Sequence, residues 1–268
     1  MTWKSAAWAI GLGSLATLVY GCLVEANRLT LERKTLPLKG WPKRCAGFKL
    51  AVLGDLHIHD TYSRDLALLA VAMALEQQPD FVALVGDMVS FKKPGVERLL
   101  AEALEPLLLM NGSVAAIFGN HEYDYGNPSA LIPILKACNI KVLRNESWKC
   151  QGVTWVGIDS ANAQMADPEK AMKGVQEPAV VLWHEPDVVD LLPKGANLMV
   201  SGHSHGGQFR FWGGLTPMHT HNGRRYPRGF YPHAPTPLYV TRGVGTTGPP
   251  SRLNCPPEVS LLTLVPGD

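Results

Sequence analysis

Five short apolar segments of this chain each end at residues whose side chains can bind a metal ion. The segments lie in FKLAVLGDLH, FVALVGD, VAAIFGNH, AVVLWH and NLMVSGHSH, and the residues at their ends are Asp55, His57, Asp87, Asn120, His184, His203 and His205. Short apolar segments bounded by glycine are typical of strands that are buried on both faces. Because ligands gather at the carboxyl ends of strands in α/β folds, the pattern predicts an α/β protein with one site at those ends.

The last of these segments continues into SGHSHGGQ, where two histidines lie one residue apart between glycines. In extended chain, His203 and His205 point to the same side, and the glycines leave the space around them open. The spacing alone is weak evidence, since MHTH contains a second pair, His219 and His221, in a region that we expect to be a loop. The convergence of five segments, rather than this pair, carries the prediction of a metal site.

Seven candidate ligands are too many for one ion, whereas two ions that share a carboxylate would use all of them. Paired divalent ions about 3.5–4 Å apart are an arrangement used for phosphoester cleavage. The two carboxylates, Asp55 and Asp87, would leave such a site positively charged, which suits an anionic phosphate. Nitrogen and oxygen ligands without sulfur favour Mn, Fe or Zn, and we expect Mn.

The same residues resemble the motifs of the calcineurin-like metallophosphoesterases. The matching motifs, in the family's order, are Asp55-Leu56-His57, Gly86-Asp87, Gly119-Asn120-His121-Glu122, His184 and Gly202-His203-Ser204-His205. The resemblance extends over essentially the whole chain and is closest to a membrane-anchored bacterial branch, the YaeI- and YkuE-like phosphodiesterases, which includes UDP-2,3-diacylglucosamine pyrophosphohydrolases. The segments YGCLVEANRL, GHSHGGQFR and YVTRGVGTTGPPSRLNCPPE carry the resemblance to this branch. It implies a four-layer α/β/β/α sandwich of two mixed sheets.

The resemblance also implies how the ligands divide between two divalent ions. One ion would be held by Asp55, His57, Asp87 and His205, and the other by Asp87, Asn120, His184 and His203. His121 would lie beside the phosphate as an acid or electrostatic stabiliser, and a hydroxide bridging the ions would attack phosphorus. In relatives with a longer G-D-x-V-D motif an acid orients this histidine, but Ser90 occupies that place here, so Glu122 and Asp124 are both candidates for its partner.

The expected function is therefore hydrolysis of a phosphodiester or a pyrophosphate, on a lipid-linked or nucleotide diphosphate substrate such as UDP-2,3-diacylglucosamine. The alternatives are a general phosphodiesterase of soluble substrates and a non-catalytic metal-binding scaffold on the same fold. A net charge of +2 argues against a general nucleic-acid binder. Arg224, Arg225 and Arg228 in GRRYPRGFY are either a clamp for a second phosphate or an anionic lipid, or an exposed basic loop.

The N-terminal region differs from the rest of the chain, because residues 6–24 carry no charge and are about as long as a membrane-spanning helix. Lys4 is the only basic residue before this segment, whereas Arg28, Arg33 and Lys34 follow it closely. We therefore expect a membrane anchor over residues 1–26 and a catalytic domain over residues 27–268. The positive-inside rule predicts a single-pass protein of a bacterial inner membrane with its catalytic domain in the cytoplasm. A cleaved signal peptide and a lipoprotein modified at Cys22 are the alternatives.

Overall fold

The computed structural model describes residues 3–211, 215–217, 219–248 and 250–267, where twelve strands form two six-stranded sheets. The first sheet consists, from edge to edge, of β1 (Thr30–Lys39), β12 (Glu258–Gly267), β2 (Phe48–Leu53), β3 (Phe81–Val85), β4 (Val114–Ile117) and β5 (Lys141–Val142). The second consists of β10 (Gly229–Tyr231), β11 (Leu238–Val240), β9 (Leu198–Ser201), β8 (Ala179–Trp183), β7 (Val153–Ile158) and β6 (Glu146–Cys150). Each sheet combines parallel and antiparallel pairs, because β12 is antiparallel to β2, and β6 and β10 are antiparallel to their neighbours.

The strands are buried on both faces, which explains why their sequences are apolar without alternation. In β2, Leu50 and Val52 face the second sheet, and Ala51 and Leu53 belong to the core on the opposite face. The layer between the sheets also contains large aromatic rings, since Phe81 stacks on Trp155 with 3.7 Å between the ring centroids. All five apolar segments singled out in the sequence are strands: β2, β3, β4, β8 and β9.

Helices cover the outer faces of both sheets and complete the predicted four layers. The first sheet is covered by α2 (Thr61–Leu75), α3 (Val96–Leu104) and α5 (Ile132–Ala137), and the second by the short α6 (Pro168–Met172) and a 3₁₀ turn over Pro186–Leu191. The structure thus confirms two mixed sheets with helices outside. A further one-and-a-half-turn helix, α4 (Asn120–Asp124), follows β4 directly and begins at a predicted ligand.

An apolar helix, α1 (Trp3–Leu23), precedes the sandwich, and every residue from 11 to 20 is exposed. Met1 and Thr2, which belong to the predicted anchor, lie outside the described residues. Within the described part of the chain, no helix is both long enough and apolar enough to cross a membrane. The prediction of a membrane-spanning helix over residues 6–24 is therefore not confirmed by the structure.

The end of α1 packs against the sandwich. The main-chain carbonyl of Gly21 accepts a hydrogen bond from the N–H of Arg252 at 3.2 Å, and a Cβ on Gly21 would lie 2.4 Å from the Ser251 hydroxyl. A 3₁₀ turn over Glu25–Asn27 then leads into β1, with Glu25 and Ala26 buried. Close contacts with the catalytic domain are thus made by residues before position 27, on the anchor side of the predicted boundary.

Candidate metal centre

The loops that follow five strands bring the predicted ligands together at one buried place. Strands β2, β3 and β4 of the first sheet lead into Asp55, His57, Asp87 and Asn120, and β8 and β9 of the second lead into His184, His203 and His205. All of these except Asn120 are at most 5% exposed. The site therefore lies where the carboxyl ends of strands from both sheets meet.

One group of donors consists of Asp55, His57 and His205, whose ligand atoms lie within 4.8 Å of one another. The Nε2 atoms of His57 and His205 are 3.1 Å apart, and the latter is 3.6 Å from Asp55 Oδ1. Asp87 Oδ2 lies 3.7 Å from His57 Nε2, close enough to complete a four-donor site.

A second group consists of Asp87, His184 and His203, again within 4.8 Å. His184 Nε2 is 3.1 Å from Asp87 Oδ2 and 3.2 Å from His203 Nδ1. The Oδ1 atom of Asn120 is buried and has no hydrogen-bond partner in the described residues. Asp87 Oδ2 thus lies near donors of both groups, so this carboxylate could contribute to each of two ions.

The backbone at the ligands is unusual, since five of the seven have a positive φ. The angles are 52° at Asp55, 48° at His57, 52° at Asp87, 69° at His203 and 50° at His205. Non-glycine residues adopt this conformation at a cost, and it persists at functional sites where the surrounding structure enforces it. The loops therefore enforce an unusual backbone conformation at most of the predicted ligands.

Glycines of the motifs allow the carboxylates to approach the chain. A Cβ on Gly119 would lie 2.2 Å from Asp87 Oδ1, and one on Gly202 would lie 2.5 Å from Asp55 Oδ2. Only glycine leaves room at either position. This is the physical reason for the glycine before Asn120 and the glycine before His203.

Burial and the charges of neighbouring donors together set the protonation of the site. Desolvation raises the pKa of Asp55 to about 7 and lowers the pKa of His57 to about 3. Burial alone would raise the pKa of Asp87, but the surrounding histidines, His184 first among them, together outweigh burial and hold that pKa well below its usual range. Neutral imidazoles are the form that binds metals, and buried carboxylates gain most from a nearby cation.

The donors fit two divalent ions. Asp55 Oδ2 and Asn120 Oδ1 are buried without a hydrogen-bond partner among the residues that the structure describes, whereas buried polar atoms in proteins nearly always have one. Together with the mixed oxygen and nitrogen donors, these atoms suit cations such as Mn, Fe or Zn.

His121 lies at the edge of the first group and is held by the main chain. Its Nδ1–H donates a 2.8 Å hydrogen bond to the carbonyl oxygen of Ser90, and its backbone N–H donates to Asp87 Oδ1 at 2.9 Å. Asp124 Oδ2 is 3.8 Å from Nδ1, beyond hydrogen-bond length. The ring packs edge-on against His57, with 4.7 Å between centroids. This arrangement leaves Nε2 as the ring nitrogen available to a phosphoryl oxygen.

Glu122, the other candidate partner of His121, has a different role. Its buried carboxylate accepts hydrogen bonds from the backbone N–H groups of Asp87, Met88 and Gly119 at 2.9, 2.6 and 2.7 Å. It therefore fixes the loop that carries the bridging carboxylate. Of the two candidates for the partner of His121, Glu122 instead binds these N–H groups, and the His121 ring donates to the Ser90 carbonyl.

Glu185 plays the same role beside the second sheet, and it was not predicted from the sequence. This buried carboxylate accepts hydrogen bonds from the Ser160 hydroxyl and from the N–H groups of Ala161 and Asn162, at 2.5, 3.0 and 3.1 Å. Both glutamates directly follow a histidine of the site, in NHE and WHE. That repeated pair was the signal by which Glu185 could have been found.

Asn162 was also missed, and it supports His203. The His203 Nε2–H donates to the main-chain carbonyl of His221 at 2.6 Å, and the Asn162 amide donates to the same oxygen at 3.0 Å. His203 is thereby oriented with Nδ1 towards the second group of donors. His221 thus serves the site through its backbone, and no local sequence signal pointed to Asn162.

Arg252 is a fully buried arginine that the ligand motifs did not reveal. Its guanidinium donates to the carbonyl oxygens of Arg242, Gly243, Gly245 and Cys255, at 3.0, 3.1, 2.5 and 3.1 Å. These bonds hold the loop after β11 against Asp55, where a Cβ on Gly243 would come within 2.6 Å of Asp55 Cβ. In the sequence, Arg252 was marked only by its position in YVTRGVGTTGPPSRLNCPPE, one of the segments that resemble the YaeI- and YkuE-like branch.

The three arginines proposed as a clamp lie on the loop that follows His221. The Arg225 guanidinium pairs with Asp190 and packs over the Tyr226 ring, and the backbone N–H groups of Arg224 and Arg225 donate to Asp187. The side chain of Arg225 therefore contacts Asp190 and Tyr226 rather than pointing freely into solvent. A role for Arg224 and Arg228 in binding phosphate stays a prediction.

Comparison with known proteins agrees with this site. The sequence model of the calcineurin-like phosphoesterase family matches residues 48–207. Phosphodiesterase YaeI of Escherichia coli is 33% identical over 227 residues, which cover 82% of this chain and 83% of that protein. A protein of Danio rerio named "Transmembrane protein with metallophosphoesterase domain" is 28% identical over 92% of this chain, which spans only 60% of that longer protein. Among solved structures, a dimetal phosphatase from Danio rerio aligns with a TM-score of 0.48 and 14% identity over 76% of this chain and 90% of that one.

Proposed function

This chain belongs to the calcineurin-like phosphoesterase family and is a metal-dependent phosphoester hydrolase, and we propose that it cleaves a phosphodiester or pyrophosphate bond in a lipid-linked or nucleotide diphosphate substrate. UDP-2,3-diacylglucosamine is the substrate that we propose to test first. The reaction type is supported by the named activity of the Escherichia coli relative, a phosphodiesterase.

The observation that carries the proposal is the pair of donor groups joined at Asp87. Two divalent ions bound there would supply an activated water and positive charge for the phosphoryl oxygens. His121 is placed beside them with Nε2 available, so it would donate a proton or a hydrogen bond to the phosphate. Mn is the proposed ion, with Fe and Zn as alternatives.

We further propose that α1 attaches the enzyme to a bilayer. The helix has no charged side chain from residue 6 to its end, and it exposes large apolar side chains, including Trp8, Leu12, Leu15 and Leu18 at 74, 64, 57 and 52% exposure. A helix that is apolar all round is usually buried in protein or in lipid. Arg28, Arg33 and Lys34 follow it, which favours a bacterial inner membrane with the catalytic domain in the cytoplasm.

The test is turnover by metal-loaded protein. The full chain in lipid nanodiscs, stripped of metal and reloaded with Mn, Fe(II) or Zn, is incubated with UDP-2,3-diacylglucosamine, bis(4-nitrophenyl) phosphate and 4-nitrophenyl phosphate, with Asp87→Ala as the inactive control. The proposal expects Mn-dependent cleavage of the pyrophosphate bond. Turnover of the soluble diester alone would favour a general phosphodiesterase, and no turnover with both ions bound would favour a metal-binding scaffold.

A further inference from the structure

A cavity of about 380 Å³ lies between the end of α1 and the start of α2 and reaches the metal donor His57. Leu23 and Ala26 line it from the N-terminal segment, and Leu66 lines it from α2. Its volume is in the range of pockets that bind small ligands, which are mostly apolar with a few polar groups. His57 is the only residue of the predicted ligand set that lines the cavity.

The two walls of the cavity are tied together. The Tyr62 hydroxyl donates a 2.5 Å hydrogen bond to the side-chain oxygen of Asn27, which joins α2 to the 3₁₀ turn after α1. Ala26 is only 4% exposed, so this turn is anchored in the protein. The cavity is thus a built space between two fixed elements.

The lining of the cavity is mixed in character. Leu23, which is 71% exposed, belongs to it and continues the apolar surface of α1. Polar side chains also line it, among them Asp60 and His57, and His57 is a donor of the metal centre. A molecule lying in the cavity would have its apolar part beside α1 and its polar end beside the metal ions.

We propose that the cavity binds a hydrocarbon chain of the substrate while the attached phosphate lies at the metal centre. The inference rests on the proposed function and narrows it to amphiphilic phosphoesters, in which the chain and the phosphate belong to one molecule. Because α1 and the cavity are continuous, such a substrate would enter from the surface of the helix. Burial of the chain would raise kcat/KM by up to about fourfold for each methylene, until the cavity is full.

The experiment compares alkyl 4-nitrophenyl phosphates with methyl, butyl and hexyl chains, using the Mn-loaded full chain in lipid nanodiscs. We expect kcat/KM to rise steeply from methyl to hexyl. Leu66→Trp, which fills the cavity from the α2 wall, should abolish most of this rise. Leu69→Trp, the same change at a 51% exposed position of the same helix, should keep it.

A second variant tests the cavity independently in case Leu66→Trp does not fold. Cys22→Phe fills the cavity from the α1 wall and should flatten the chain-length dependence in the same way. A steep dependence that both cavity variants retain would overturn the proposal, and so would a flat dependence in the unaltered protein. Partitioning of the substrates into lipid is the same for every variant and cannot produce the expected difference.

Failure of the proposed function gives a separate result. If none of the three esters is cleaved by the Mn-loaded protein, the protein lacks the proposed phosphodiesterase activity whatever the cavity binds. Binding of hexyl phosphate and methyl phosphate, measured by calorimetry on the same Mn-loaded protein, then tests the cavity alone. Tighter binding of the hexyl compound, lost in Leu66→Trp and kept in Leu69→Trp, would support the hydrocarbon site, and equal binding of both compounds would refute it.

Discussion

The buried carboxylate of Glu25 accepts a hydrogen bond from the main-chain N–H of Cys255 at 2.6 Å. The thiol of Cys255 in turn donates to the main-chain carbonyl of His205, 3.2 Å away. One residue therefore connects the segment after α1 to a donor of the metal centre. The N-terminal segment contributes to the structure of the catalytic domain, in addition to its proposed attachment to a membrane.

The first prediction is that Glu25→Ala destabilises the catalytic domain. The change leaves the Cys255 N–H buried without its acceptor, which costs about 1–3 kcal/mol in the free energy of unfolding. Urea unfolding followed by tryptophan fluorescence measures the loss, with the exposed Glu76→Ala as a matched control. A protein that begins at Asn27 should be destabilised at least as much. If Glu25→Ala and this shortened protein were both as stable as the unaltered protein, the hydrogen bond between Glu25 and Cys255 would be unimportant for stability.

The second prediction concerns the sharing of Asp87. Asp87→Ala should abolish turnover and lower the occupancy of both ions, because both donor groups include this carboxylate. His203→Ala should abolish turnover but reduce mainly one equivalent of metal. Metal content is measured by inductively coupled plasma mass spectrometry, with the exposed His233→Ala as the control. Two full equivalents in Asp87→Ala would contradict a shared carboxylate.

The strands and the ligands were predictable because the information about them is local in the sequence. An apolar segment buried on both faces ends where the chain leaves the sheet, and a ligand type directly after each segment marks the same edge. The division of seven donors around Asp87 came from the family resemblance and stays a prediction; the structure groups Asp55 with His57 and His205, groups Asp87 with His184 and His203, and also brings His121 near His57 and Asp87. The two mixed sheets followed from the resemblance in the same way.

The contacts that orient the donors could not be predicted, because they are made by residues distant in sequence and often by the main chain. The acceptor for His121 is the carbonyl oxygen of Ser90, which any residue type would provide. Asn162 reaches the His221 carbonyl across 59 residues, and Glu25 reaches Cys255 across 230. No motif or periodicity encodes such pairs, so only the folded structure reveals them.

The third prediction separates His121 from the metal ligands. His121→Ala should retain both equivalents of metal and lose turnover by roughly 10²–10⁴, the range for a positioned proton-transfer group. The measurements are metal content and kcat on bis(4-nitrophenyl) phosphate. An empty metal site in this variant would mean that His121 is a ligand.

The orientation of His121 gives a control within the same experiment. Ser90→Ala keeps the carbonyl that accepts from Nδ1 and should remain close to the unaltered protein in kcat. Asp124→Asn should also remain close, because its carboxylate lies 3.8 Å away. A loss in Asp124→Asn as large as that in His121→Ala would identify the carboxylate, rather than the carbonyl, as the group that orients the ring.

The last prediction distinguishes among the three arginines after His221. The Arg225 guanidinium is engaged by Asp190 at the surface, so Arg225→Gln should leave KM unchanged and should change stability little, because exposed ion pairs contribute little to stability. Substitution of both Arg224 and Arg228 by Gln should raise KM for UDP-2,3-diacylglucosamine by about tenfold or more, since charged hydrogen bonds contribute about 1.5–3 kcal/mol. KM for bis(4-nitrophenyl) phosphate should change little, because that substrate has no second phosphate to bind. An equal rise for both substrates would show that the loop acts through its general positive charge, and no rise for either would show that it is an exposed basic loop without a role in binding.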